Sequence, residues 1–275
     1  MKMRGYIFLL AAGAVVLDGC VSTQVALDGR LEMPRTADGE KIITYAGYSD
    51  IKYGKNAEIM SDNNKVAYSV SYDSENLIPR WVAYDLTAEE MRGTAARNGK
   101  TFRQDDRAGV PQADGGDYHR SGWTKGHMAP AGDFKWSSDA MNDTFFYTNC
   151  CPQDEYFNGT SWERLESRVR DWARKHGRLF IVTGSIISDA ENGRMGVNRV
   201  AIPDAFYKAI LVKDGDSYKS VAFVMHNNSA PQPYTQCVMS VNELEDITGV
   251  DFFYLLDDKI EESVEDMVDR QFWDI

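Results

Sequence analysis

Residues 65–73, KVAYSVSYD, alternate apolar and polar side chains, and residues 80–86, RWVAYDL, run almost continuously apolar, so each predicts a β-strand. The LTAEEM that follows offers a polar exit with helical character. Residues 92–126 are rich in Gly, Asp and charge and predict a long surface loop of the kind that carries function. Beyond it, TFFYTNCC at residues 144–151 is strand-like, and RLFIVTG, FYKAILV and SVAFVMHN predict three more strands in the C-terminal half. Together these build a central sheet. Between them lies the clearest helix, residues 159–175, where Trp162, Leu165, Val169 and Trp172 recur as one buried stripe and Gly177 follows at the stop.

Composition narrows the architecture. The chain has 275 residues, 43% of them hydrophobic, enough for one sizeable core, and its helices and strands are interspersed, which predicts a single α/β or α+β domain. No repeat period or low-complexity linker divides it. The first residues differ: Lys2 and Arg4 precede the apolar run YIFLLAAGAVVL, too short for a helix crossing a bilayer core of roughly 30 Å but suited to the h-region of an export signal. LDGC at its end resembles a bacterial lipoprotein cleavage site with Cys20 as the lipidated residue, an ordinary secretory signal being the alternative. The expected organisation is a signal over residues 1–20 and one domain over residues 21–275. The expected location is a bacterial periplasm, a membrane reached only through the lipid anchor, or the outside of the cell.

Of the other cysteines, the neighbours Cys150 and Cys151 point to opposite faces if they lie on a strand, and one bridge to Cys237 is conceivable. No Cys-x-x-Cys pair or His-Glu-x-x-His helix offers a zinc site, so these cysteines are assigned no chemistry. A net charge of -12 argues at face value against a polyanionic substrate. The distribution changes that inference. Residues 91–135 hold eight basic and five acidic side chains, whereas residues 242–275 hold twelve acidic and two basic ones. A basic stretch around His127 is compatible with a phosphate-binding groove.

Hydrolysing a phosphodiester requires a base for water, a Lewis acid for charge on the phosphoryl oxygens, and cations to hold the phosphate. His127, in SGWTKGHMAPAGDFKW, suits the base because an ordinary imidazole, with a pKa near about 6.5, is largely neutral at pH 7. Gly126 beside it lets the backbone come close to a ligand. At about 100° per residue, Asn158 and Glu166 lie on neighbouring sides of one helix and can approach a single site, where they could share a metal ion.

The block GWTKGHMAPAGDFKWSSDAMNDTFFYTNCCPQDEYFNGTSWERLE, residues 122–166, resembles the active-site block of the DNA/RNA non-specific endonucleases. The signature of these ββα-metal nucleases is Asp-Arg-Gly-His, then Asn-x-x-Pro-Gln, then an Asn-x-x-x-Trp-x-x-Leu-Glu helix. RWVAYDLT, FRQD, IVTGSI, RVAIPDAFYKAIL and ITGVDFFYLLDD extend the likeness over a core of about residues 65–262. The resemblance implies an α+β fold: a mixed, largely antiparallel central sheet, flanking helices and a ββα-metal motif. It also implies a metal-dependent, sequence-non-specific endonuclease acting on DNA, RNA or both.

Residue by residue, His127 matches the general base and Asn158 the one side chain that binds the divalent metal, Mg2+ or Mn2+. Glu166 matches a residue that orients water held by that metal, and Asn149 and Gln153 match polar braces of the site. A phosphate-binding arginine of the family corresponds to Arg97, with Arg103 the alternative. Two positions depart from the signature: Thr124 and Lys125 stand where the family has Asp and Arg, so a carboxylate is lost and a planar fork becomes a point charge. Threonine keeps a hydroxyl for positioning. His119, His176 and His226 lack comparable company. Two other classes compete: a nucleic-acid-binding protein that does not cut, and a lipid-anchored surface protein with a structural role.

Overall fold

The computed structural model describes residues 30–48, 64–188 and 192–275, so the expected export signal and Cys20 lie outside the described part. The strands in chain order are β1 (Ile42–Tyr48), β2 (Asn64–Asp73), β3 (Ile78–Thr87), β4 (Thr124–His127), β5 (Cys150–Gln153), β6 (Arg178–Ile186), β7 (Arg194–Met195), β8 (Val200–Ala201), β9 (Ala205–Asp214), β10 (Ser217–His226) and β11 (Val238–Met239). The α-helices are α1 (Gly115–Tyr118), α2 (Ser138–Asp143), α3 (Glu163–His176), α4 (Val241–Thr248), α5 (Asp258–Glu265) and α6 (Arg270–Trp273).

Among the described residues seven strands form the main sheet in the order β1-β2-β3-β6-β9-β10-β11, with every ladder antiparallel. The parallel pairing seen among the described residues is an isolated bridge from Arg103 to Phe146. The central strands read as unbroken apolar runs because both faces of the sheet are covered. Period-two alternation separates the two faces. Val82, Tyr84, Leu179, Ile181, Phe206 and Ile210 enter one core, while Trp81, Ala83, Phe180, Val182, Tyr207 and Ala209 enter the other. α3 closes the first core, and Val241 and Leu244 of α4 help close the second.

The stripe Trp162, Leu165, Val169 and Trp172 is at most 1% exposed. Burying each such side chain is worth about 1.5–3 kcal/mol. Helix propensities differ by only about 0.7 kcal/mol per ordinary residue, so packing sets which face of α3 meets the sheet. Gly177, at φ 92°, ends the helix in a conformation that side-chain-bearing residues avoid.

Two local expectations need correction. Residues 144–149 are not strand: they fold through the turn Tyr147–Asn149, and β5 begins only at Cys150. The Asn149 side chain causes this, with Nδ2 donating to the carbonyls of Thr144 (2.9 Å) and Ala129 (3.0 Å) and Oδ1 accepting from Ala129 N (2.8 Å). The chain wraps around one buried amide instead of extending. The long helix also starts earlier than expected and contains a widened π turn, Phe157–Trp162, ahead of α3. Asn158 therefore sits inside the helix, and Asp154 does the capping, its Oδ1 accepting from Phe157 N at 2.9 Å.

Candidate active site

β4 and β5 form a short antiparallel ribbon that pairs Thr124 with Gln153, Lys125 with Pro152, Gly126 with Cys151 and His127 with Cys150. The chain runs from β5 into the helix that carries Asn158 and Glu166, so two strands and one helix deliver Thr124, Lys125, His127, Gln153, Asn158 and Glu166, while Arg97 comes from the irregular segment ahead of β4 and Asn149 from the turn before β5. Gly126 is needed for close approach: a Cβ there would meet Gln153 Oε1 at 2.0 Å. Asn149 anchors the exit of β4, because its carbonyl accepts from Met128 N (3.0 Å) while its side chain grips Ala129.

His127 lies against Phe102 and Phe145, with ring centroids 4.6 Å and 4.7 Å away. Its Nε2 is buried and has no hydrogen-bond partner among the described residues. Burial, reinforced by the nearby Arg97 cation, pushes the imidazole down to about 3. Both effects penalise the charged ring, so His127 is neutral at pH 7 and open to accepting a proton.

In the same cavity, Asn158 Nδ2 donates to Thr124 Oγ1 at 3.1 Å, and Thr124 Oγ1 donates to the Gln153 carbonyl at 2.9 Å. Thr124, Lys125, His127, Asn158, Glu166 and Arg97 all line one cavity of about 580 Å³. Five cations line it, Arg97, Lys125, Lys135, Arg170 and Arg174, against three carboxylates, Glu155, Glu163 and Glu166. In a chain of net charge -12 this is a local positive site. Gln153 and Asn149 stand behind the wall, fully buried. Neither polar atom of the Gln153 amide finds a partner among the described residues.

The donor set fits a hard divalent cation. Asn158 offers an amide oxygen that no described residue engages, and Glu166 adds a carboxylate to the lining of the same cavity. Among the described residues no cluster of three His, Cys, Asp or Glu side chains could hold a metal, so the site is unlike the multi-ligand protein cages that bind zinc.

A family model described as DNA/RNA non-specific endonuclease matches residues 50–259. The chain belongs to the DNA/RNA non-specific endonuclease family. The mitochondrial nuclease EXOG of Danio rerio is 36% identical over 203 residues, covering 67% of this chain and 58% of that protein. Human mitochondrial Endonuclease G is 28% identical over 202 residues, 69% of this chain and 68% of that one. A crystal structure of an EndoG/EndoGI complex superposes with a TM-score of 0.65 at 29% identity, covering 70% of this chain and 85% of that one. The chain spans a little over half the length of its EXOG relatives. These relatives are mitochondrial nucleases, and that overturns the expectation of a protein exported to a bacterial periplasm, a lipid-anchored surface or the outside of the cell.

Within the family frame the two arginine candidates separate. Arg97 lines the cavity, with its guanidinium 5.7 Å from the Phe145 ring centroid. Arg103 is occupied elsewhere, with Nη1 donating to the Asn142 carbonyl (2.9 Å), Nη2 3.5 Å from Asp143 and the group stacked on Phe146. Cys150 and Cys151 are both buried, and Cys237 is half-buried; among the described residues none of the three is bridged to another. His119, His176 and His226 do not line the cavity.

Sequence reasoning missed the charges beneath Glu166. Arg170 Nη1 lies 3.1 Å from Asp133 Oδ1, and Tyr84 OH donates to Asp133 Oδ2 at 2.8 Å. Lys208 is fully buried, with Nζ donating to Thr183 Oγ1 at 2.5 Å and lying 5.0 Å from the Trp162 ring centroid. Burial pushes the Glu166 carboxyl up and the Lys208 ammonium down, and each opposes the other's shift. A signal for Lys208 existed: in FYKAILV it shares the period-two face of Phe206 and Ile210.

Proposed function

We propose that this chain is a metal-dependent, sequence-non-specific endonuclease that hydrolyses phosphodiester bonds of DNA, RNA or both. The observation that carries this is the convergence of a neutral imidazole, a free amide oxygen and a cluster of cations in the lining of one cavity. Arg97 and Lys125 hold the scissile phosphate, Lys125 as a point charge that allows more than one phosphate orientation. Asn158 holds a divalent ion, Mg2+ or Mn2+, through its oxygen. When bound, that ion supplies Lewis-acid stabilisation of charge building on the phosphoryl and leaving oxygens.

His127 is the general base. Its Nε2 is enclosed, so the proton from the attacking water is taken at Nδ1. An imidazole held near 3 is a weak base in the free protein. Phosphate drawn against Arg97 cancels the cation that repels a ring proton, so basicity rises when substrate is in place. Glu166 orients water at Asn158, and Asn149 and Gln153 brace the ribbon that carries the base. Contacts to phosphate rather than to base edges give affinity without sequence readout.

The test is cleavage of plasmid DNA and of RNA with and without Mg2+. His127→Ala is expected to lower kcat by about 10²–10⁴-fold. Asn158→Ala is expected to raise the Mg2+ concentration needed for half-maximal rate. Purified wild-type protein that cuts neither polymer with Mg2+ or Mn2+ would sink the proposal.

A further inference from the structure

We propose that Thr124 is a positioning residue that decides which end of the Asn158 amide is presented to the cation, an inference that rests on the metal-holding role read for Asn158. A hydroxyl has one hydrogen to give and two lone pairs to receive with. The Gln153 carbonyl, 2.9 Å from Thr124 Oγ1, can only accept, so the Thr124 hydrogen is committed there. The Asn158 group 3.1 Å from the same oxygen must then be the donor, which makes it Nδ2. Oδ1 is thereby the free end, on a residue that lines the cavity.

The orientation follows from counting hydrogens and needs no assumption about which amide atom is which. The ribbon supports it, because Thr124 and Gln153 are paired across β4 and β5 and hold the acceptor carbonyl in register. The family signature places an aspartate here; ionised, it would accept from the amide but offer no hydrogen to the Gln153 carbonyl. This chain keeps the orienting bond and drops the charge. Asn158 lies inside the π turn, and the Thr124 hydroxyl is the one hydrogen-bond partner its side-chain amide has among the described residues, so that hydroxyl is the contact that holds the amide.

The test is Mn2+ affinity of the full chain without nucleic acid, read from the electron paramagnetic resonance of free Mn2+, together with Tm. Thr124→Val removes both hydrogen bonds and is expected to weaken Mn2+ binding by about 10–100-fold, the usual effect of losing a partner that orients a ligand. Thr124→Ser keeps the hydroxyl and is expected to bind within about threefold of wild type, a rescue that a packing role for the methyl would not give. A folded Thr124→Val that binds Mn2+ as wild type does, while Asn158→Ala loses it, overturns the positioning role alone. Unchanged binding by Asn158→Ala overturns the metal reading beneath it. Should Thr124→Val fail to fold, proton exchange of the Asn158 side-chain amide in wild type decides: one slow Nδ2 proton supports the bond, and two equally fast ones overturn it.

Discussion

The imidazole of His127 has apolar rings on two sides and a cation nearby, so its free-state titration is the most direct check on the site. Its Cε1 proton resonance is expected to stay flat from pH 8 to pH 5, since the ring is held near 3. Replacing Arg97 by Met removes the second cause and is expected to move the midpoint upward. A wild-type midpoint near the ordinary value of about 6.5 would refute the enclosed-base reading. The sign for stability follows from the same depression: keeping the ring neutral costs nothing above the unfolded value, and stability is lost as pH falls from there toward 3. That the candidate residues share one cavity was anticipated by the resemblance of residues 122–166 to a family's active-site block, more than by local pattern, since only His127 and the Asn158–Glu166 pair stood out on their own chemistry. The grouping of Asp133, Arg170 and Lys208 was not anticipated, although alternation already put Lys208 on an inward face, because their mutual placement depends on how β9 packs under α3.

At the level of elements, periodicity succeeded where packing is regular and failed where one side chain redirects the backbone. β3, β6, β9 and β10 occupy the apolar runs that predicted them. Residues 144–149 are equally apolar but curl around the Asn149 amide, whose three backbone partners are invisible to any local pattern. The C-terminal helices hold a different kind of conflict. Glu265 at the end of α5 is 2% exposed, with Oε1 unpartnered, and faces Glu245, Glu261 and Asp251. Burial first, then those carboxylates, push it up to about 9. Its folded value lies above its unfolded one, so the folded state favours the protonated form, whose stabilisation is full below the unfolded value and lost as pH rises through about 9. Glu265→Gln, which mimics that form, is expected to raise Tm more at pH 8 than at pH 5. Equal shifts at both pH values in thermal melts would contradict the assignment.

For the molecule as a whole, the question is how a chain of net charge -12 approaches a polyanion. The acidic helices α4 and α5 belong to the core layer on one side of the sheet, and the cavity lies beside α3 on the other. With layers packed about 10 Å apart, the two charge sets are separated by roughly 20 Å. That is about two screening lengths at 0.1 M salt, so the acidic face contributes little at the cavity under those conditions. The local field is set instead by the cations lining the cavity. Arg170 is tied to Asp133 and Arg174 to Asp171, which leaves Arg97, Lys125 and Lys135 as the side chains available to phosphate. Three phosphate contacts predict a slope of about -2.7 for log affinity against log salt on duplex DNA, from about 0.9 per contact. Lys135→Ala is expected to make that slope shallower by about 1 and to weaken binding equally across sequences. Binding measured with His127→Ala, which should hold substrate without turning it over, gives the slope directly. A slope near zero would mean that the basic wall does not meet the backbone, and a slope unchanged in Lys135→Ala would remove that lysine from the phosphate path.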